Sequence, residues 1–232
     1  YRDIWEYLIL NTGPQYYERM FRNSLFKLCR KIICLCFFIF SLHSFSSNTF
    51  YEVSAGSEYT CGIDEFGVIC WGSNNYGQLD IPESISNPSR LTTYFTHSCV
   101  IDDSGLQCWG ANYNGQLDIP VLINPSEVSA GFSHTCAIDE VGAHCWGSNS
   151  RGQLNVPSTG NQLSNLAAGS SHTCVDGRYG LYCWGDNLNG QLNIPNFDNF
   201  SKVTAGDAHT CGIQDNILPV SYTHLTLPTS PK

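Results

Sequence analysis

Four histidines, His97, His134, His172 and His209, each stand two residues before a cysteine, and Tyr59 takes the equivalent place before Cys61. Imidazole and thiolate are common zinc ligands, so a metal centre is the first chemistry to consider. The ligands of one ion must converge, however. Residues that recur once per repeat lie on a ring about the axis of a repeat protein, and their expected role is a hydrogen bond made anew in every unit. The acidic pairs Asp64-Glu65, Asp102-Asp103 and Asp139-Glu140 could suggest catalytic carboxylates or calcium ligands. Each falls at a hairpin turn, where aspartate is favoured for local reasons. No Ser-His-Asp constellation, phosphate-cradling glycine loop or metalloprotease motif occurs, and near-identical units offer no singular site. No catalytic residue, cofactor site or metal ligand is expected, and the chain reads as a binding protein rather than an enzyme.

The elements that must position these residues are set by a repeat. Trp71, Trp109, Trp146 and Trp184 are 38, 37 and 38 residues apart, within the pattern Cys-x8-Cys-Trp-Gly-x-Asn-x-x-Gly-Gln-Leu-x-(Ile/Val)-Pro. Copies run from Cys61 to Pro82, Cys99 to Pro120, Cys136 to Pro157 and Cys174 to Pro195, and Cys211 opens a fifth. A short β-like run ending Ala-Gly precedes most of them, as in Val53 to Gly56; the second copy has Thr93-Tyr94 there instead. A period in this range marks a solenoid or propeller, in which a unit too small for its own core buries its apolar face on its neighbours. Charged residues make up only 13% of the chain, and glycine and the aromatics are plentiful. That is a β-rich, turn-rich composition.

Within each copy, eight residues with a central turn signal separate the two cysteines, which predicts a hairpin. If Glu140 and Val141 form a two-residue loop, Cys136 faces Cys145 in a non-hydrogen-bonded pair, the closest approach of side chains on paired strands. If Gly142 instead forms a left-handed bulge, Cys136 faces Trp146. Both registers fit the spacing. Disulfides Cys61–Cys70, Cys99–Cys108, Cys136–Cys145 and Cys174–Cys183 are the expectation, against buried free thiols as the alternative. The Gly-Gln-Leu segment is expected to form a turn and a further strand, ended by Pro82, Pro120, Pro157 or Pro195.

Met20 is the only methionine, and the basic residues Arg22, Lys27, Arg30 and Lys31 precede an apolar run from Ile32 to Phe40. This is the form of a secretory signal peptide, with Ser44 and Ser46 before a cut at Ser47, and the run is well short of the roughly 20 residues of a membrane span. An N-terminal anchor is the alternative. The expected organisation is upstream translated sequence over 1–19, a signal peptide over 20–46, repeats over 47–217 and a non-native tail over 218–232. Between residues 48 and 217 only Arg90, Arg151, Arg178 and Lys202 face seventeen acids, a formal balance of −13. Nucleic acid is therefore a poor partner. The sequon Asn199-Phe200-Ser201 is a candidate glycosylation site at Asn199.

The run His/Tyr-Thr/Ser-Cys followed by Cys-Trp-Gly-x-Asn-x-x-Gly-Gln-Leu closely resembles the repeat of the regulator of chromosome condensation superfamily, from about residue 50 to residue 215. The resemblance implies an all-β, β-propeller-like array with one repeat per blade. The short period and paired cysteines resemble its extracellular branch, such as the ectodomains of crinkly-type plant receptor-like kinases and secreted bacterial repeat proteins. The exchange activity of the nuclear founder on a small GTPase is not implied, because neither a signal peptide nor paired cysteines belong to it. Four full repeats and the start of a fifth give an incomplete array, with Val220 standing where the partner of Cys211 is due. An open sheet edge and a free Cys211 are expected of it.

The expected function is a secreted or cell-surface protein-interaction module, with a protein ligand and no cofactor, as part of a receptor ectodomain or free. An enzyme inhibitor or exchange-factor-like regulator on the same scaffold is the alternative. The residues that differ between copies in the Asn-x-x-Gly loop, Tyr76, Tyr113, Asn114, Ser150, Arg151, Leu188 and Asn189, are the candidates for the binding surface.

Overall fold

Eight residues between two cysteines leave room for two short strands and a two-residue turn, and in the computed structural model of the chain this hairpin is the centre of each of the first four blades. The structure describes residues 49–160, 162–194, 200–213 and 220–221. The signal-peptide reading over 20–46, the segment 1–19, Pro195 and the sequon asparagine Asn199 lie outside these residues. In the third repeat Asp139 N donates to Gly142 O at 2.9 Å, and Cys136 pairs with Cys145 rather than with Trp146. The two-residue loop is therefore the register that forms. Gly142 still has a positive φ, of 155°, but it closes the turn without inserting an extra residue.

Each blade is a three-stranded antiparallel sheet whose strands follow in chain order. The first contains β1 (Glu52–Ala55), β2 (Tyr59–Asp64) and β3 (Gly67–Gly72). The second is β4 (Ser89–Tyr94), β5 (His97–Asp102) and β6 (Gly105–Gly110), and the third β7 (Glu127–Ala130), β8 (His134–Ile138) and β9 (Ala143–Gly147). β10 (Ser164–Ala168), β11 (His172–Gly177) and β12 (Gly180–Gly185) form the fourth. β13 (Lys202–Ala205), β14 (Thr210–Ile213) and β15 (Val220–Ser221) form the fifth. No helix occurs among the described residues. β15 pairs with β14 and begins three residues past the expected limit of the repeats, since backbone pairing needs only N–H and C=O groups. It sets Val220 opposite Cys211, and the Cys211 thiol is free.

The first strands β1, β4, β7, β10 and β13 contact one another in succession, so the sheets follow around a common axis as propeller blades do. The middle strands are covered on both faces: β5 and β8 are buried throughout. Between blades lie small cores such as Ile138, Val175 and Trp184, flanked by Leu163, Leu166 and Tyr182. One unit cannot bury a tryptophan alone, and here Trp184 sits in the core shared by the third and fourth repeats.

The Gly-Gln-Leu segment departs from the sequence expectation. It forms consecutive tight turns and no strand: Gly77 N donates to Asn74 O, Asp80 N to Gly77 O and Ile81 N to Leu79 O. The side chains explain why. Asn74 Oδ1 accepts from Leu79 N at 2.8 Å and Gln78 Oε1 from Tyr76 N at 2.7 Å. The same two bonds recur at Asn112 and Gln116, Asn149 and Gln153, and Asn187 and Gln191. Amide side chains that satisfy the local backbone remove the donors a strand would pair.

Candidate interaction surface

The residues common to all repeats are consumed in joining blade to blade. His134 Nε2 lies 2.9 Å from Thr173 Oγ1 of the next blade, and His97–Thr135 and His172–Thr210 repeat the pair at 2.9 and 3.0 Å. Tyr59 replaces histidine in the first blade and reaches Ser98 Oγ at 2.9 Å. Thr135 Oγ1 in turn donates to Gln116 O at 2.8 Å, which also accepts from Trp146 Nε1 at 2.9 Å. A hydroxyl has one proton. With that proton given to Gln116, the threonine oxygen can only accept, so His97 carries its hydrogen on Nε2. Nδ1 of His97, His134 and His172 is buried with no partner. Burial holds these imidazoles far below their ordinary value of 6.5, at about 4 for His97 and His172 and about 3 for His134. The repeated histidines thus form interblade bonds, as periodicity suggests.

Glycine makes this packing possible. A Cβ on Gly131 would lie 2.3 Å from the His134 ring. Gly147, at φ 103°, brings its backbone so close to the preceding strand that a Cβ would lie 2.6 Å from Ser133 O.

The cysteines join β2 to β3 and their equivalents. Bonds link Cys61–Cys70, Cys99–Cys108, Cys136–Cys145 and Cys174–Cys183, with Cα atoms 4.1 Å apart in each pair. The first cysteine of each pair is fully buried. These bonds brace the blade and point away from solvent.

The turn acids are also structural. Asp139 Oδ1 accepts from Val141 N, Gly142 N and His144 Nε2, while Oδ2 accepts from Ile123 N at 2.9 Å. Burial alone would raise its pKa, but these donors outweigh it and bring the carboxyl down to about 2. Asp102 does the same for Ser86 and Ser104. Each therefore ties a hairpin to the connector that enters its own blade. A groove of about 500 Å³ lies beside the second hairpin, lined by Asp102, Ser104, Leu106, Ile119, Pro120 and Leu122.

Antiparallel order sends these hairpins to one end of the blades. The β1–β2 turns and the Asn-x-x-Gly loops go to the other, here called the loop face. Of the sequence candidates, Tyr113 and Leu188 are strongly exposed there, and Tyr76 packs edge-on against Tyr113 at 6.1 Å. Asn114, Ser150, Arg151 and Asn189 share these loops, though their backbone N–H groups at 114, 151 and 189 hold the buried glutamines.

A second set of residues escaped the sequence reading. The turn after the first strand carries Ser57, Phe95, Phe132, Ser170 and Asp207 at equivalent positions. Ser57 N donates to Phe95 O, Phe132 N to Gly169 O and Ser170 N to Gly206 O, which links these turns one to the next. Phe95 and Phe132 stack at 4.1 Å, and Tyr94 Oη donates to Asp207 Oδ1 at 2.6 Å, across 113 residues of sequence. With Ala55, Gly56 and Ser57 they enclose a cavity of about 280 Å³. The signal was present as a position that varies among Ser, Phe and Asp, two residues before the repeated His or Tyr.

The family model for the regulator of chromosome condensation (RCC1) repeat matches residues 43–78 and 126–153. No curated protein sequence matches the chain. Among solved structures, the entire ectodomain of the Physcomitrella patens receptor kinase CR4 is 22% identical with a TM-score of 0.66, over 79% of this chain and 54% of that one. The chain thus spans about half the length of that ectodomain. The CRINKLY WD40 ectodomain of the Arabidopsis thaliana receptor kinase ACR4 is 25% identical with a TM-score of 0.64, covering 78% and 75% of the two chains. Prp20p of Saccharomyces cerevisiae, whose binding to Gsp1p and histones has been described, is 18% identical with a TM-score of 0.62, over 75% and 58%. The repeat that returns every 37 or 38 residues is thus similar to the regulator of chromosome condensation repeat, matching its family model over residues 43–78 and 126–153, and each complete copy is pinned by its own disulfide.

Proposed function

We propose that the chain is a protein-interaction module of a secreted or cell-surface protein, and that it binds through the loop face. One observation carries this reading. The residues shared by all repeats are spent on disulfides, interblade bonds and turns, while the loop face carries residues that differ between copies, Tyr76, Phe95, Tyr113, Phe132 and Leu188, whose aromatic rings pack against one another across neighbouring blades. Exposed apolar side chains grouped on a rigid frame are a recognition surface. Four disulfides and the likeness to two receptor ectodomains support an extracellular setting, because such bonds persist in oxidising compartments. In this reading residues 20–46 direct secretion, the repeats up to about 217 form the module, and the native protein continues into further blades or domains.

The test expresses the chain from Met20 in a secretory cell line, with and without residues 20–46. Tagged protein should reach the medium only when that segment is present. Purified protein is then used to capture partners from an array of secreted and cell-surface proteins. Capture should be lost with Tyr113→Ser plus Phe95→Ser on the loop face and kept with Val121→Ser plus Val141→Ser, which lie outside that face. Equal loss with both pairs refutes a loop-face site.

A further inference from the structure

We propose that the cavity bounded by Phe95, Phe132, Tyr94 and Asp207 receives a cationic side chain, arginine or lysine, from a basic segment of a protein partner. The inference rests on the interaction-module reading and gives its chemistry. Phe95 and Phe132 are 39% and 38% exposed, are stacked on one another, and both line the cavity. Aromatic faces attract ammonium and guanidinium groups, more strongly where water is partly excluded. Asp207 stands at the rim, its carboxylate fixed by the hydrogen bond from Tyr94 Oη. A carboxylate with one oxygen bound by a neutral donor keeps its full charge and its second oxygen for an N–H donor. The combination of ring face and placed carboxylate suits a planar, many-donor cation better than an apolar or anionic group.

The charge around the cavity points the same way. Among the described residues, chain order puts Glu58, Asp80, Asp118, Asp186 and Asp207 at the loop face with Arg151, a net acidic surface; the hairpin end is acidic as well, so the cavity and not net charge sets the place of binding. The acidic surface as a whole attracts a basic segment, and the ring faces with Asp207 decide where it docks.

The probe is a fluorescent peptide, Gly-Ser-Arg-Gly-Ser, compared with the same peptide carrying citrulline, which keeps the planar shape but lacks the charge and has an oxygen acceptor in place of one nitrogen. Binding to the full chain is measured by fluorescence anisotropy and by aromatic proton shifts of Phe95 and Phe132. The arginine peptide should bind at least tenfold more tightly than the citrulline peptide. Asp207→Asn and Phe132→Leu should each weaken it at least fivefold, with thermal midpoints confirming that both variants fold. Glu65→Gln, which removes the same charge from the hairpin end, should change it less than twofold. Equal binding of the two peptides overturns the proposal. Equal effects of Glu65→Gln and Asp207→Asn overturn it too, because attraction would then be diffuse. If the arginine peptide fails to bind while the loop-face pair still abolishes partner capture, the cation site is wrong and the interaction module stands.

Discussion

Thr173 is a one-atom test of the interblade bond. Its hydroxyl accepts from His134 Nε2 and donates to Gln153 O, so Thr173→Val keeps the shape and strands a buried N–H. That penalty is about 1–3 kcal/mol and should be read as a lowered urea midpoint. The same histidines make stability depend on pH. Their folded pKa values lie at about 3 to 4, below the ordinary 6.5, because burial disfavours the cation and Nδ1 has no partner. Above pH 6.5 both states hold neutral imidazole and stability is full. As pH falls below 6.5 the unfolded chain binds protons that the folded chain refuses, so stability drops until the folded pKa is reached. Each histidine steepens the fall by up to about 1.4 kcal/mol per pH unit. Urea unfolding between pH 7 and pH 4.5 measures it, and His134→Asn should reduce the slope by the share of one proton. The shared His-x-Cys motif was legible in the sequence as a per-blade hydrogen bond; its partner was not, because Thr173 lies 39 residues further along the chain.

At the scale of the hairpin, the spacing limited the register to two choices and the turn chose between them. Asp139 N bonds to Gly142 O, a pairing that the bulged alternative would forgo, and the Asp139 carboxylate caps the loop. The fifth blade repeats the geometry without the chemistry: Cys211 faces Val220, nine residues on, the separation found in all four disulfides. Val220→Cys should therefore oxidise to a disulfide with Cys211, detected by non-reducing peptide mapping. Persistent alkylation of Cys211 at the wild-type rate would show that β15 does not hold this register. The Gly-Gln-Leu turns show where sequence reading fails at this scale. Glycine and an apolar leucine before proline fit a strand end equally well, and only the amide bonds of Asn74 and Gln78 to their own loop exclude it.

For the whole molecule, the sequence alone determined the repeat, its period and its all-β class, because each follows from contacts local to about forty residues, and it put two cysteines in every complete unit without fixing their register. It also located half of the loop face, through the differing residues of the Asn-x-x-Gly loops. Tertiary structure alone decided the rest. Tyr94 meets Asp207, and Phe95 meets Phe132, only when the blades turn about a shared axis and bring equivalent turns together. Nothing in the spacing of residues 113 positions apart encodes a contact, since it depends on the rotation accumulated across three blade interfaces. Those interfaces are set by the His–Thr and Trp–Gln bonds, and the axial cavity is their geometric consequence.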